Sequence, residues 1–284
     1  SANVPKGIVF VVDDPFVSLP FGALPILVGG RTTFLGAETA VSISPSLVSL
    51  NTRQGTEERL ADRPFLGIGD AEYSEAAARE ILGFVPARLR ETNAELRFLA
   101  ALLKANVTTD LLLGPAATED AIRRLSDSGE LQRYRTIAFA THGYFDNPGR
   151  LVEAGLLLSE PSGGNSQEDG VLSASEIYRL RLDAELIILS ACDTGAVALG
   201  KRGLSDLAKA FTFAGARALI VTHWEIDTHA ATELSKRLAT ELQKPGKAAN
   251  AEALQSAIRS LLQDPASSRF HHPKFWASHT VVGL

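Results

Sequence analysis

Seven short runs rich in Val, Ile and Leu punctuate the chain, at 7–12, 65–69, 110–113, 136–140, 185–189, 218–221 and 277–282. Continuous apolar runs of this length fit strands buried on both faces of a parallel sheet, since a strand with one wet face would alternate apolar and polar residues. Small or polar residues follow each run, and several lead into a segment of helical period.

Three of these segments carry an i, i+3, i+4, i+7 apolar stripe: Leu96, Leu99, Ala100 and Leu103; Leu204, Leu207, Ala208 and Phe211; Leu254, Ala257, Ile258 and Leu261. Such spacing places one apolar face against a core. Thr92 with Glu95, and Ser173 with Glu176, have the spacing of capping boxes and predict helix starts. Gly215 stands where a helix-terminating glycine is expected, just before the run at 218. Strands alternating with helices predict an α/β sandwich with right-handed crossovers. The first 60 residues differ, with Pro15, Pro20, Pro25 and the pair Gly29-Gly30. They predict a strand meander or hairpin, an integral extension of one domain covering 1–284.

Composition bounds the possibilities. With 284 residues and 45% hydrophobic side chains, the chain buries a sizeable core. The net charge of -5, with both signs interspersed, argues against a nucleic-acid partner. No apolar stretch approaches the ~18 residues of a membrane span. No secretory segment is visible, and cytoplasmic residence is the expectation. The chain has no Met and begins Ser1-Ala2-Asn3, the pattern of a fragment from a larger protein. Its single cysteine, Cys192, excludes an internal disulfide and a multi-thiolate zinc site. Taken alone, such a thiol reads as a small buried hydrophobe.

The ends of the apolar runs change that reading. In open α/β sheets, ligands bind beyond the carboxyl ends of the strands. One run ends in Thr141-His142-Gly143, another in Ser190-Ala191-Cys192-Asp193-Thr194-Gly195, and a third in Thr222-His223-Trp224. Neighbouring strands lie about 4.8 Å apart, so a base and a nucleophile at adjacent strand ends come within reach of each other. An imidazole beside a thiol draws off its proton and later protonates a leaving amine. The backbone N–H groups of Gly143 and Cys192 supply a candidate oxyanion hole. Read separately, Gly143 and Gly195 are ordinary turn glycines. His142 and Cys192 stand 50 positions apart, against about 50 in caspases.

At this point the chain resembles the CHAT family, caspase- and separase-like domains often attached to tetratricopeptide repeats. The matching residues run in order: Leu19-Pro20-Phe21-Gly22-Ala23-Leu24, Leu113-Gly114 with Ala117-Thr118-Glu119, and Ala140-Thr141-His142-Gly143. Gly170-Val171-Leu172 with Glu176-Ile177 comes next, then Leu189 to Gly195, Ala214-Gly215-Ala216-Arg217, and His272-Pro273 with Phe275-Trp276. The resemblance implies a caspase-like three-layer sandwich, with a mostly parallel sheet, helices on both faces and the N-terminal strand or hairpin extension. It implies a cysteine endopeptidase with His142 as base and Cys192 as nucleophile, acting on protein or peptide substrates under control of a repeat domain or partner protein, without a cofactor. The chain departs from the family pattern at Thr222-His223-Trp224, where a small residue and Leu usually precede the Trp.

The remaining candidates divide between groove and scaffold. Asp193, His223, Trp224, Glu225 and Asp227 are candidate substrate-binding residues, the acids suiting a basic side chain. Asp227 reads more simply as a helix N-cap and His223 as a hydrogen-bonded strand-end residue; His229 reads as a surface residue, while His271 and His272 pack or cap near the last strand. A metal site at His142, Cys192 and His223 would have one thiolate and no placed carboxylate, so no metal is expected. The segments 159–170 and 195–203 read as exposed, mobile loops beside the candidate nucleophile, which suggests a domain that stays latent until a partner orders them. A second class of function is a proteolytically silent scaffold or protein-interaction module on the same fold.

Overall fold

The computed structural model describes residues 4–12, 16, 19–44, 61–75, 78–79, 82–144, 153–160, 169–190, 203–224, 227–244 and 250–283, with backbone alone at 203–205 and 228. In chain order the elements are β1 (Gly7–Val11), β2 (Pro25–Val28), β3 (Arg31–Phe34), α1 (Leu35–Glu38), β4 (Ala40–Ser44), β5 (Arg63–Gly69), α2 (Glu91–Leu102) and β6 (Leu111–Leu113). Next come α3 (Glu119–Asp127), β7 (Tyr134–Ala140), β8 (Gly143–Tyr144), β9 (Gly155–Leu157), β10 (Val171–Ser173), α4 (Ala174–Ile177) and β11 (Leu186–Leu189). The chain closes with α5 (Gly203–Ala214), β12 (Ala218–Thr222), α6 (Thr228–Leu242), α7 (Asn250–Gln263) and β13 (His279–Gly283). All seven apolar runs contain a strand. Two compact units result, one of Glu57–Arg217 and one of Ser1–Thr56 with Ala218–Leu284.

In the unit of Glu57–Arg217 the strand order is β11-β7-β5-β6, all parallel. Leu186 pairs with Thr136 and Leu189 with Phe139, a constant offset of 50 positions between β7 and β11. Gly69, the last residue of β5, pairs with Ala140, the last of β7. Helices cover both faces of this sheet. A Cβ on Gly69 would lie 2.7 Å from Leu96 of α2, so β5 has glycine where that helix crosses it. Phe139 meets Phe211 of α5 at 5.4 Å between ring centroids. Ile68 is the partner of Phe139, and side chains alternate along a strand, so α5 and α2 lie on opposite faces. This is the expected α/β three-layer arrangement.

Helix starts follow the sequence at one site and depart from it at another. Ser173 caps α4 as a full capping box: its hydroxyl accepts from Glu176 N–H, and Glu176 accepts from Ser173 N–H at 2.9 Å. The Thr92–Glu95 box does not form, because α2 begins at Glu91 with Arg90 in the cap position and no side-chain cap bond. Thr92 instead gives its proton to the Leu89 carbonyl at 2.7 Å and accepts from the Asp70 N–H at 2.9 Å. A small antiparallel sheet, β10-β9-β8, follows the end of β7.

In the other unit the order is β1-β4-β13-β12, with only the β12–β13 pair antiparallel. β2 and β3 form the expected hairpin through Gly29 and Gly30, both at positive φ (58° and 80°), the conformation that tight hairpin turns require. The N-terminal segment is more than a hairpin, since β1 and β4 join the parallel part of the sheet. The stripe of α7, Leu254, Ala257, Ile258 and Leu261, is buried and packs on β4. Trp276, fully buried, meets Phe34 edge-on at 5.6 Å.

Candidate active site

β7 delivers its last residues to the carboxyl edge of the sheet, where parallel strands present backbone and side chains to a ligand. His142 lies two residues beyond Ala140 and is only 4% exposed. Its Nε2 sits 2.6 Å from the carbonyl oxygen of Ala87. A carbonyl can only accept, so Nε2 carries the proton and donates, and Nδ1 keeps the lone pair. The backbone thus fixes which ring nitrogen is the base.

Neighbouring groups hold the ring and the peptide before it. The Tyr73 ring lies 5.9 Å from the imidazole at 48°. Thr141 donates its one hydroxyl proton to the Leu157 carbonyl, so across the 3.1 Å contact between the hydroxyls the Tyr73 O–H must be the donor. Burial raises the Tyr73 pKa above the usual phenol value, so it stays protonated for that role.

Gly143 opens β8 opposite Leu156. The Leu157 N–H donates to the His142 carbonyl at 2.8 Å, which makes Gly143–Leu156 a non-hydrogen-bonded pair of the ladder. In such a pair the N–H of each residue points away from the partner strand. The Gly143 N–H is therefore directed off β9, as a donor to a developing oxyanion needs to be.

β11 brings the second strand end alongside. Ser190 N–H donates to the Phe139 carbonyl at 3.0 Å, carrying the parallel ladder one residue past Leu189. Cys192 and Asp193 lie outside the described residues, as do Glu225 and the greater part of the segments 159–170 and 195–203.

The other candidates belong to the unit that contains β12. His223 places Nε2 2.9 Å from Thr280 Oγ1, and burial pushes its pKa down to about 4. Trp224 donates its indole N–H to the Lys274 carbonyl at 3.0 Å. Asp227 caps α6, with Oδ1 accepting from His229 N–H at 3.0 Å and Ala230 N–H at 3.1 Å. His229 is on the surface, with its side chain 79% exposed. His271 bonds the Asp264 carbonyl, and His272 caps a short turn through Lys274 N–H. Among the described residues no group of three His, Cys, Asp or Glu side chains could hold a metal ion, and no helix is long and apolar enough to cross a membrane.

Sequence reasoning missed Ala87 and Tyr73. A carbonyl acceptor has no residue signature, so nothing in Pro86-Ala87-Arg88 marks it.

Three comparisons bear on this arrangement. The chain is 28% identical over 113 residues to tetratricopeptide repeat protein 28 of Mus musculus, a match covering 40% of this chain and 4% of that protein. It superimposes on the separase–securin complex of Saccharomyces cerevisiae with a TM-score of 0.56 and 14% identity, over 97% of this chain and 15% of the separase-complex chain. A fainter likeness, TM-score 0.48 and 14% identity over 96% of this chain and 58% of the other, is to the Arg-specific cysteine proteinase gingipain R. The chain thus spans a small part of the length of the first relatives it matches, and the likeness to the separase structure is one of fold, a caspase-like α/β sandwich. The family model for the CHAT domain matches residues 2–284, and with the strand-end Thr141-His142-Gly143 in place the chain belongs to the CHAT domain family.

Proposed function

We propose that this chain is a cysteine endopeptidase domain, its two units acting as one, with His142 as general base and Cys192 as nucleophile. The observation that carries the reading is the fixed tautomer of His142. With Nε2–H held by Ala87 O, Nδ1 is the proton acceptor at the end of β7. The pairing of β7 with β11 supports the choice of nucleophile, because its offset of 50 positions is also the separation of His142 from Cys192.

In this reading Nδ1 takes the Cys192 thiol proton and the thiolate attacks the scissile carbonyl carbon. The carbonyl oxygen becomes an oxyanion facing the N–H groups of Gly143 and Cys192. Collapse of the intermediate breaks the C–N bond while imidazolium Nδ1–H protonates the leaving amine. Water, deprotonated by the same nitrogen, then attacks the thioester, releasing the acid and restoring the thiol. The substrate class is a protein or peptide, with Asp193 a candidate partner for a basic side chain next to the cleaved bond. Regulation by an attached repeat domain or a partner protein is supported by the names of a relative, a tetratricopeptide repeat protein, and of a structural neighbour, a separase–securin complex.

The test is the reactivity of Cys192 toward iodoacetamide in the parent and in His142→Ala, which needs no cognate substrate. Alkylation of the parent faster than free cysteine at pH 7, with a drop of at least about 100-fold in His142→Ala, is the expected result. A Cys192 no more reactive than free cysteine, and indifferent to His142, would instead make the chain a proteolytically silent interaction module.

A further inference from the structure

The Ala87 carbonyl fixes the tautomer of His142, and the segment that carries it is held by groups just after β5 and on the first turn of α2. Asp70 immediately follows β5 and adopts φ of 53°, a left-handed conformation uncommon for a residue with a Cβ. It is 5% exposed. Arg88, next to Ala87, grips both of its carboxylate oxygens, Nε to Oδ1 at 2.6 Å and a terminal nitrogen to Oδ2 at 3.0 Å. That two-pronged pairing sets orientation as well as distance. Asn93 adds a bond to Oδ2 at 2.9 Å, and the other terminal nitrogen of Arg88 reaches Glu72. One residue further, the Leu89 carbonyl accepts from Thr92, whose hydroxyl also receives the Asp70 N–H.

We infer that Asp70 is a positioning residue: through its forked pair with Arg88 it holds the Ala87 carbonyl against His142 Nε2 and so keeps Nδ1 as the base. The inference rests on the peptidase reading above. β5 is the common reference for both partners of the bond. It pairs with β7 up to Gly69–Ala140, two residues before His142, and its next residue anchors the segment bearing Ala87. The Arg88 bond also holds the Asp70 pKa below the usual carboxylate value, so the pair stays charged at neutral pH.

The experiment uses the full chain as parent, Asp70→Asn and Arg88→Lys, with two readouts. The first is the pH dependence of Cys192 alkylation by iodoacetamide. Below pH 7, where the thiolate depends on His142, each variant is expected to lose about 10- to 100-fold, the usual cost of removing a partner that orients a functional histidine. Above pH 9, where a thiol of ordinary pKa about 8.5 ionises unaided, parent and variants converge. The second is the ring resonances of 15N-labelled His142, assigned with His142→Gln: the parent shows a single Nε2–H tautomer, and the variants a mixture. Unchanged low-pH rates and an unchanged tautomer in both variants would overturn the inference, while loss of reactivity in His142→Ala leaves the peptidase reading standing. If His142→Ala alters nothing, that reading falls, and the ring resonances still judge the clamp without any chemistry at Cys192. If one variant fails to fold, the other decides. If both fail, the pair is a folding element and the inference is overturned.

Discussion

Two histidines end strands in this molecule, and the two units treat them differently. His142, after β7, donates to a backbone carbonyl, an acceptor that cannot donate back, so its proton has one place to sit. His223, after β12, faces the Thr280 hydroxyl, which can give or take a proton and leaves the tautomer open. Burial also pushes the His223 pKa to about 4, too low for an efficient base at neutral pH. Position at a strand end therefore does not make a histidine a base. What the second partner can donate or accept does, and that partner is invisible in a motif of three residues.

The sharpest way to break this comparison is to exchange the two residues' importance. His142→Asn is expected to lower peptidase activity about 10³-fold or more, within the usual range for removing a general base. His223→Gln is expected to stay within about threefold once thermal melting shows the fold intact. Steady-state cleavage of a mixed peptide library, compared for both variants, checks this. A His223→Gln loss as large as that of His142→Asn would show that the tautomer argument picks the wrong histidine.

A second contrast concerns glycines. A Cβ on Gly69 would lie 2.6 Å from the Ala140 carbonyl oxygen and 2.7 Å from Leu96, in a layer closed on both sides. Gly29 has a positive φ, but nothing lies within 4 Å of its Cβ position. Gly69→Ala is expected to cost about 3 kcal/mol, at the upper end of overpacking effects. Gly29→Ala should cost about 1 kcal/mol through backbone strain alone. Urea unfolding midpoints of the two variants measure the gap. Equal midpoints would mean that β5 and α2 separate at little cost, and would loosen the geometry that supports His142.

These residues also mark how far the sequence could be read. Uninterrupted apolar runs announced β5, β7, β11 and β12, because strands covered on both faces need no polar alternation. β4 escaped: its Ala-Val-Ser-Ile-Ser has two serines, yet Ser42 and Ser44 are buried with Ala40 and Ile43. The two-residue β8 and its partners lie in segments too short to carry a period. Thr92 had the spacing of a cap, but its hydroxyl is taken by Leu89 and Asp70, a bond across 22 positions that no local pattern shows. His142 and Gly143 were legible as types at a strand end. Ala87, Asp70 and Arg88 were not, since their roles depend on a carbonyl and on a turn of the backbone.

Acid should act on the two units at different pH. His223 and His279 are both half-buried, and desolvation of the ring lowers each to about 4. Unfolded, each takes a proton near pH 6.5. The unfolded chain therefore binds more protons than the folded one between these values, so their contribution is complete above pH 6.5 and is lost as pH falls toward 4. Asp70 is also shifted down, but by its bond to Arg88 and not by burial, and its contribution is lost only below the usual carboxylate range, near 3.9. Stability followed by urea titration should thus decline from pH 6.5 to 4 in the parent. The decline should be shallower in His279→Asn. An equal slope in that variant would mean that these two histidines do not set the acid limb.

The smallest effect expected is at Asp227, and it decides what that carboxylate is for. As the N-cap of α6 it accepts two backbone N–H groups through one oxygen. Asp227→Asn keeps an acceptor in place and should change stability by only a few tenths of a kcal/mol, whereas Asp227→Ala leaves both donors uncapped and should cost about 1 kcal/mol. Neither change should alter the preference between peptides with basic and neutral side chains beside the cleaved bond. A carboxylate that recognised substrate would give the reverse pattern, because Asn removes the charge while sparing the cap: basic peptides alone would suffer in Asp227→Asn, with melting unchanged. Selectivity and melting temperature, measured together on these two variants, therefore separate a scaffold role from a groove role at a residue whose sequence position fits both.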